Sequence, residues 1–182
     1  EGLIVKNISN LYDVKVDDKI YHAKARGKFK NEDITPLVGD IVEINIDKSY
    51  ILKIKKRKNI LLRPRVANVD IGLIVTSLKN PDLSLALLDK EISLITLSQI
   101  EPVILFTKKD LLTKNELENS NLLKKYYKKI GYKVFYNDEI PLLKKYLSHK
   151  IVVLTGQTGA GKSTMLNKLG NFNIQTNEIS HA

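Results

Sequence analysis

The 182-residue sequence predicts a small all-β barrel followed by an α/β domain built on a mostly parallel sheet. Three observations carry that expectation. Short segments of alternating apolar residues, broken by turn residues, crowd into the first 58 positions. From Asp70 onward apolar strands alternate with helix-length amphipathic segments. Near the far end an apolar strand runs into a glycine-punctuated loop, Ile151-Val-Val-Leu-Thr-Gly-Gln-Thr-Gly-Ala-Gly-Lys-Ser-Thr164.

The barrel strands are expected at 3–6, 11–16, 20–26, 40–46 and 50–54, separated by Ser9-Asn10, Asp17-Asp18 and Asp47-Lys48-Ser49. Five short strands in so few residues close most economically into a barrel, of which the OB-fold is the common example. In the third strand Tyr21, Ala23 and Ala25 share one face, and His22, Lys24, Arg26 and, beyond it, Lys28 share the other. The fifth places Leu52 and Ile54 inward and Lys53 and Lys55 outward. A wall of Lys24, Arg26, Lys28, Lys53 and Lys55 with Tyr12, Tyr21, Phe29 and Tyr50 nearby suits RNA. The same residues also fit tyrosines in a barrel core and merely solvated lysines. The run Lys53-Ile-Lys-Lys-Arg-Lys58 followed by Arg63-Pro-Arg65 marks a link, either a phosphate-contacting strip or a solvated hinge. The domains are expected at 1–62 and 63–182.

Net charge is +10, with 15 Lys/Arg against 9 Asp/Glu in residues 1–66 and 15 against 11 beyond them. That excess fits a polyanionic partner, and equally a lysine-rich surface. The absence of cysteine excludes disulfides and thiolate zinc sites within these residues. No apolar run approaches the length of a membrane span. The expectation is a cytoplasmic monomer without a membrane partner.

In the second half, a buried strand is expected at 71–76. A helix should then enter at Asn80-Pro81 and run to Gln99 with Leu88, Ile92 and Ile95 on one face. A strand follows at 102–106. Thr113-Lys-Asn-Glu116 is a capping box opening a helix that ends at Gly131, with Leu123, Tyr126, Tyr127 and Ile130 as its core stripe and the Lys124/Lys128 and Lys125/Lys129 pairs as a solvated face. A strand at 132–136 and a short helix from Pro141 to Leu147 complete the run up to the glycine loop.

That loop carries the chemistry. Gly156, Gly161, Lys162 and Ser163 fit G-x-x-x-x-G-K-[ST] between a strand and a helix. Glycines let successive backbone N–H groups of Gly156, Gln157, Thr158, Gly159, Ala160, Gly161, Lys162, Ser163 and Thr164 surround phosphate oxygens. The positive helix end adds to the attraction. Lys162 would reach the β/γ-phosphates and the Ser163 hydroxyl would ligate Mg²⁺. The base is chosen elsewhere. Thr107-Lys108-Lys109-Asp110, at the end of a buried strand, matches the [NT]-K-x-D pattern. Asp110 could accept hydrogen bonds from guanine N1–H and the 2-amino group, which adenine cannot supply. Asp110 precedes Gly156, the reverse of the ordinary order in GTPases, so the domain is expected to be a circularly permuted P-loop GTPase fold.

The ordered set of barrel, Arg63-Pro-Arg-Val-Ala-Asn-Val-Asp70, T-K-x-D and G-Q-T-G-A-G-K-S-T resembles the ribosome small-subunit-dependent GTPase family. Ala25-Arg-Gly-Lys-Phe29 and Thr35-Pro-Leu-Val-Gly-Asp40 are similar to that family too. The resemblance implies an OB-fold and G domain that bind GTP/GDP with Mg²⁺, dock on 16S rRNA of the 30S subunit and hydrolyse GTP during its late maturation. It also implies departures. Thr107 stands where many members have Asn, so a hydroxyl would replace an amide tether to the phosphate loop. Tyr136-Asn137 occupies the place of the second base-contacting motif. The D-x-x-G motif, the His-Thr-Thr switch (which His181 does not match) and the family's zinc domain are not found in these residues, so a C-terminally incomplete chain is expected, with no catalytic residue assignable and zinc only in that further domain. A P-loop ATPase or kinase, and an RNA-binding assembly module whose nucleotide is only structural, remain as alternatives.

Overall fold

The computed structural model describes residues 1–26, 29, 34–170 and, as backbone alone, 174–176. The chain divides into two compact units, Glu1–Val69 and Asp70–Ala182.

In the first unit β1 (Gly2–Ile8), β2 (Leu11–Val16), β3 (Lys19–Ala25), β4 (Ile41–Asn45) and β5 (Tyr50–Ile54) close a barrel in the order β1-β2-β3-β5-β4. Ser9 and Asn10 both take positive φ (46° and 71°), the geometry of a tight hairpin turn, and join β1 to β2. β3 and β5 pair in parallel, and β1 closes on β4 through Gly2↔Val42 and Leu3↔Ile41. Ile4, Tyr12, Val14, Ala23, Phe29, Val42 and Ile51 form the core.

Two expectations about this unit are corrected. In β5 the residue facing inward is Ile51, fully buried, while Leu52 is only half-buried. Pairing jumps from Glu43↔Lys53 to Ile44↔Ile51, so Leu52 is an extra residue and the alternation slips there. The basic run after β5 is no free strip throughout. Arg57 donates from Nε and Nη2 to the two carboxylate oxygens of buried Asp40, each at 2.7 Å, and again from Nη2 to the Thr35 carbonyl. A short hairpin, β6 (Ile60–Leu62) and β7 (Arg65–Ala67), follows and is bridged at Val66 to Val38. The 60–67 hairpin thus belongs to the first unit, and the division falls after Val69 rather than at 62/63.

The second unit is a five-stranded parallel sheet in the order β10-β9-β8-β11-β12. β8 (Ile71–Ser77) lies at its centre and is buried at every position. The chain runs outward through α1 (Leu85–Leu97), β9 (Glu101–Thr107), α2 (Lys114–Lys129) and β10 (Lys133–Tyr136). It then returns through α3 (Ile140–Leu147) to β11 (Val152–Thr155) on the far side of β8, and continues to α4 (Lys162–Leu169) and β12 (Ile174–Thr176). Right-handed crossovers then put α1 and α2 on one face and α3 and α4 on the other. The Tyr127 hydroxyl donates to Asp89 at 2.8 Å and ties α2 to α1. Leu143 and Leu147 of α3 and Met165 and Leu169 of α4 pack with Leu73, Val75, Leu105 and Leu154 in one core. The order reverses between β8 and β11, which opens a crevice at their carboxyl ends.

α1 starts later than expected. Asn80 has φ 53°, outside the helical region, and the helix is capped by Ser84, whose hydroxyl accepts from Leu87 N. α2 has the expected cap, with Thr113 and Glu116 each bonded to the other's backbone N–H. Of the expected α2 core stripe Tyr127 is buried, while Tyr126 and Ile130 are exposed because the sheet-facing stripe runs through Ser120, Lys124 and Tyr127 instead. Lys124 also corrects the reading of a solvated α2 face. It is buried and paired with Glu139 at 2.5 Å, its ammonium 4.1 Å from the Tyr136 ring centre. β6, β7 and β12 had no expectation.

Candidate nucleotide site

β11 delivers the chain to the crevice and Gly156 turns it. Gly156 has φ 123°, and a Cβ there would lie 2.0 Å from the Val75 carbonyl oxygen of β8, so no larger residue fits. Gly159 and Gly161 also take positive φ (77° and 94°), which curls the 156–161 backbone into a loop. Gly161 is the N-cap of α4, so Lys162, Ser163 and Thr164 make its first turn and leave their N–H groups without helical partners. The Lys162 ammonium lies over the loop, donating to the carbonyls of Gly156 (2.8 Å) and Gln157 (3.0 Å). Thr158, Gly159, Ser163 and Thr164 face solvent, while Ala160 is buried. Among the described residues the Ser163 hydroxyl has no hydrogen-bond partner, and no cluster of His, Cys, Asp or Glu could itself hold a metal. One neutral oxygen beside an anion loop suits Mg²⁺ that takes its other ligands from phosphate and water.

The second motif reaches the same crevice. Thr107 ends β9, is buried, and donates its hydroxyl proton to the Ala160 carbonyl at 2.6 Å. A longer 3.3 Å contact to the Thr76 carbonyl leaves Ala160 the better acceptor. The end of β9 is thereby joined to the phosphate loop across 53 residues of sequence. Lys108 takes φ 58° and bonds the Asn80 carbonyl. Asp110 sits exposed in the 3-10 turn Lys109–Leu111, free to face a base. Lys109 points elsewhere. Its ammonium pairs with Asp138 at 2.6 Å and lies 4.7 Å from the Tyr136 ring centre. The hydrogen bond to Asp138 raises the Lys109 pKa, and the same bond lowers that of Asp138.

The sequence reading left Asn137 without an assigned contact and missed Glu91. Asn137, directly after β10, donates its backbone N–H to Phe106 O at 2.9 Å, while its side chain reaches Lys109 N and Asp110 Oδ1, both at 3.4 Å. It braces the Lys109–Leu111 turn from the next strand. Glu91, buried on α1, accepts from the Thr155 hydroxyl at 2.6 Å, one residue before Gly156. A glutamate on the apolar stripe Leu88, Ile92, Ile95 was a legible sign of a buried polar contact.

On the barrel, Lys24, Arg26 and Lys53 are exposed, with Arg26 5.8 Å from the Tyr50 ring centre. Lys55 is held between Glu1 (2.8 Å) and Glu43 (2.6 Å), and its pKa rises chiefly through the hydrogen bond to Glu1. Lys28 lies outside the described residues, as does His181. Tyr12 and Phe29 are core residues, which leaves Tyr50 and half-buried Tyr21 as the accessible rings.

The barrel, the parallel sheet and a T-K-x-D strand end that precedes the glycine loop in sequence define a circularly permuted P-loop GTPase fold that follows an OB-like domain along the chain. The sequence model of the RsgA GTPase matches residues 54–182, and that of the RsgA N-terminal domain matches residues 1–51. The chain belongs to the RsgA GTPase family. It is 43% identical to small ribosomal subunit biogenesis GTPase RsgA 2 of Oceanobacillus iheyensis, covering 99% of this chain and 64% of that protein. It is 44% identical to the RsgA of Limosilactobacillus reuteri, covering 100% and 64%. The fold matches YjeQ from Thermotoga maritima with a TM-score of 0.85 and 32% identity, over 93% of this chain and 64% of that one. It matches YloQ, described as a circularly permuted GTPase, with a TM-score of 0.80 and 36% identity, over 91% and 62%. The chain thus spans about 64% of the length of these curated relatives.

Proposed function

We propose that the protein binds GTP and GDP with Mg²⁺ and hydrolyses GTP while assisting maturation of the small ribosomal subunit. The observation that supports this reading is the Thr107–Ala160 hydrogen bond, which joins the T-K-x-D strand end to the glycine loop at one crevice. Asp110 accepts from guanine N1–H and the 2-amino group, with the Lys108 stem along the base. The loop N–H groups and Lys162 would hold the β/γ-phosphates, and the Ser163 hydroxyl would hold a Mg²⁺ ion, which would supply charge neutralisation there. Water attacks the γ-phosphorus, the bond to the β–γ bridging oxygen breaks, and GDP, phosphate and a proton leave. Among the described residues none is assigned to orient that water.

The ribosomal partner rests on the relatives' name, small ribosomal subunit biogenesis GTPase, and on a charge of +10. We place the protein in the cytoplasm as a monomer, with 16S rRNA contacted by the barrel through Lys24, Arg26, Lys28 and Lys53, and Lys55 held in its acidic pair. The test is steady-state phosphate release from GTP with and without purified 30S subunits. Multiple turnover that rises with 30S supports the proposal; no release in either case would leave a binding module.

A further inference from the structure

A second basic surface lies away from the nucleotide site, on the last two turns of α2 and the start of β10. From Asn119 to Asn137 the sequence holds Lys124, Lys125, Lys128, Lys129 and Lys133 and no acidic residue. Lys124 is used internally by Glu139. Lys125, Lys128, Lys129 and Lys133 are all exposed and form no ion pair among the described residues, although the charge of Lys128 is felt at Glu139. Lysines near a helix C-terminus offset its dipole, which accounts for Lys128 and Lys129. It does not account for Lys133, on a strand, nor for what stands beside the cations.

Tyr126 is 56% exposed, its ring held edge-on by Tyr127 at 5.5 Å between centres. Leu122 and Ile130, one turn to either side, are exposed as well, so an apolar edge with a fixed aromatic ring runs along the lysines. Lys128 and Lys133 also line a cleft of about 450 Å³ with Tyr132, Phe135, Leu142 and Glu139, the last already paired with Lys124. Cations free of local partners, spaced along a helix and flanked by an exposed ring, match what a single strand offers: a row of phosphates and bases with open faces.

We infer that this α2–β10 surface is a second RNA-binding surface, separate from the barrel, which takes single-stranded RNA on Lys125, Lys128, Lys129 and Lys133 with a base against Tyr126. It rests on the proposed function only in taking RNA as the polyanion. An anionic membrane is disfavoured because the exposed apolar edge is one residue wide, too narrow to lie in a bilayer interface.

The test uses the full chain and a fluorescein-labelled, unstructured RNA of about 20 nucleotides, longer than a single binding surface needs. Anisotropy titrations across a series of salt concentrations give the salt slope. Replacing the four lysines with Gln should lower the slope by about 3, at about 0.7 per single-strand phosphate contact. Tyr126→Ala should weaken binding about tenfold with the slope unchanged. GDP affinity and melting temperature should stay at wild-type values, which shows that the variants are folded. An unchanged slope in the lysine variant, with loss instead in Lys24→Gln/Lys53→Gln, would overturn this surface and leave the barrel reading intact. No RNA binding by the wild type would overturn both. If the lysine variant lost only its binding to phosphatidylserine vesicles, the surface would be a lipid surface and the proposal wrong.

Discussion

Thr107 ties the end of β9 to the glycine loop through a single proton. Its hydroxyl, buried at the end of β9, gives that proton to the Ala160 carbonyl, and no other donor to that oxygen is found among the described residues. Thr107→Ala should therefore weaken GDP binding about tenfold, the effect of one neutral hydrogen bond, while Thr107→Ser restores it. Isothermal titration of the three proteins checks this; equal affinities would make the contact incidental. Lys162→Ala should remove tight GTP binding altogether, since the ammonium already lies over the loop. Gly156→Ala meets the Val75 carbonyl at 2.0 Å and should lose both nucleotide affinity and several degrees of melting temperature. At this level the spacing of Gly156, Gly161, Lys162 and Ser163 was fully legible, because local backbone chemistry dictates it. A hydroxyl tether at Thr107 could be expected by resemblance, but its partner had to be seen. The contacts of Asn137 to Asp110 and of Glu91 to Thr155 were not legible, because they span 27 and 64 residues and no local pattern names the partner, although the place of Glu91 on an apolar stripe signalled a buried polar contact.

Elements followed the same division between local and distant causes. The cap of α2 was readable because Thr113 and Glu116 satisfy each other within one turn. The start of α1 was misread because Asn80-Pro81 looks like a helix entry, while the backbone at Asn80 takes φ 53° and Ser84 caps instead. Lys124 seemed solvated because its partner Glu139 lies beyond β10. Glu116 also pairs with Lys79 at 2.8 Å, and this bond, with its cap bonds to Thr113, lowers its pKa from 4.5 to about 2. A folded pKa below the unfolded one adds stability that is complete above about 4.5 and is lost as pH falls towards about 2. Glu116→Gln should accordingly melt lower than wild type at neutral pH, with the gap closing as the solution is acidified through that window. Thermal melts of both proteins from neutral pH downward check it; a gap independent of pH would refute the charge as its cause.

For the whole molecule, the class of each unit was legible because periodicity changes from two to helical near Asp70, and the reversed motif order implied permutation. The strand order was not, since pairing partners are set by packing. β8 is central and buried throughout, so β9 and β11 both pair with it and their loops meet at the crevice where the sheet order reverses. That geometry brings the strand ends that carry Asp110 and Gly156 to one crevice although 46 residues separate them in reversed order. It makes guanine selectivity the central claim. The measurement is the affinity of the chain for GTP, GDP and ATP with Mg²⁺, for wild type and Asp110→Asn. Guanine nucleotides should bind far more tightly than ATP to the wild type, and the variant should lose that preference while retaining a folded phosphate loop. Equal binding of ATP by the wild type, or an unchanged preference in the variant, would contradict it.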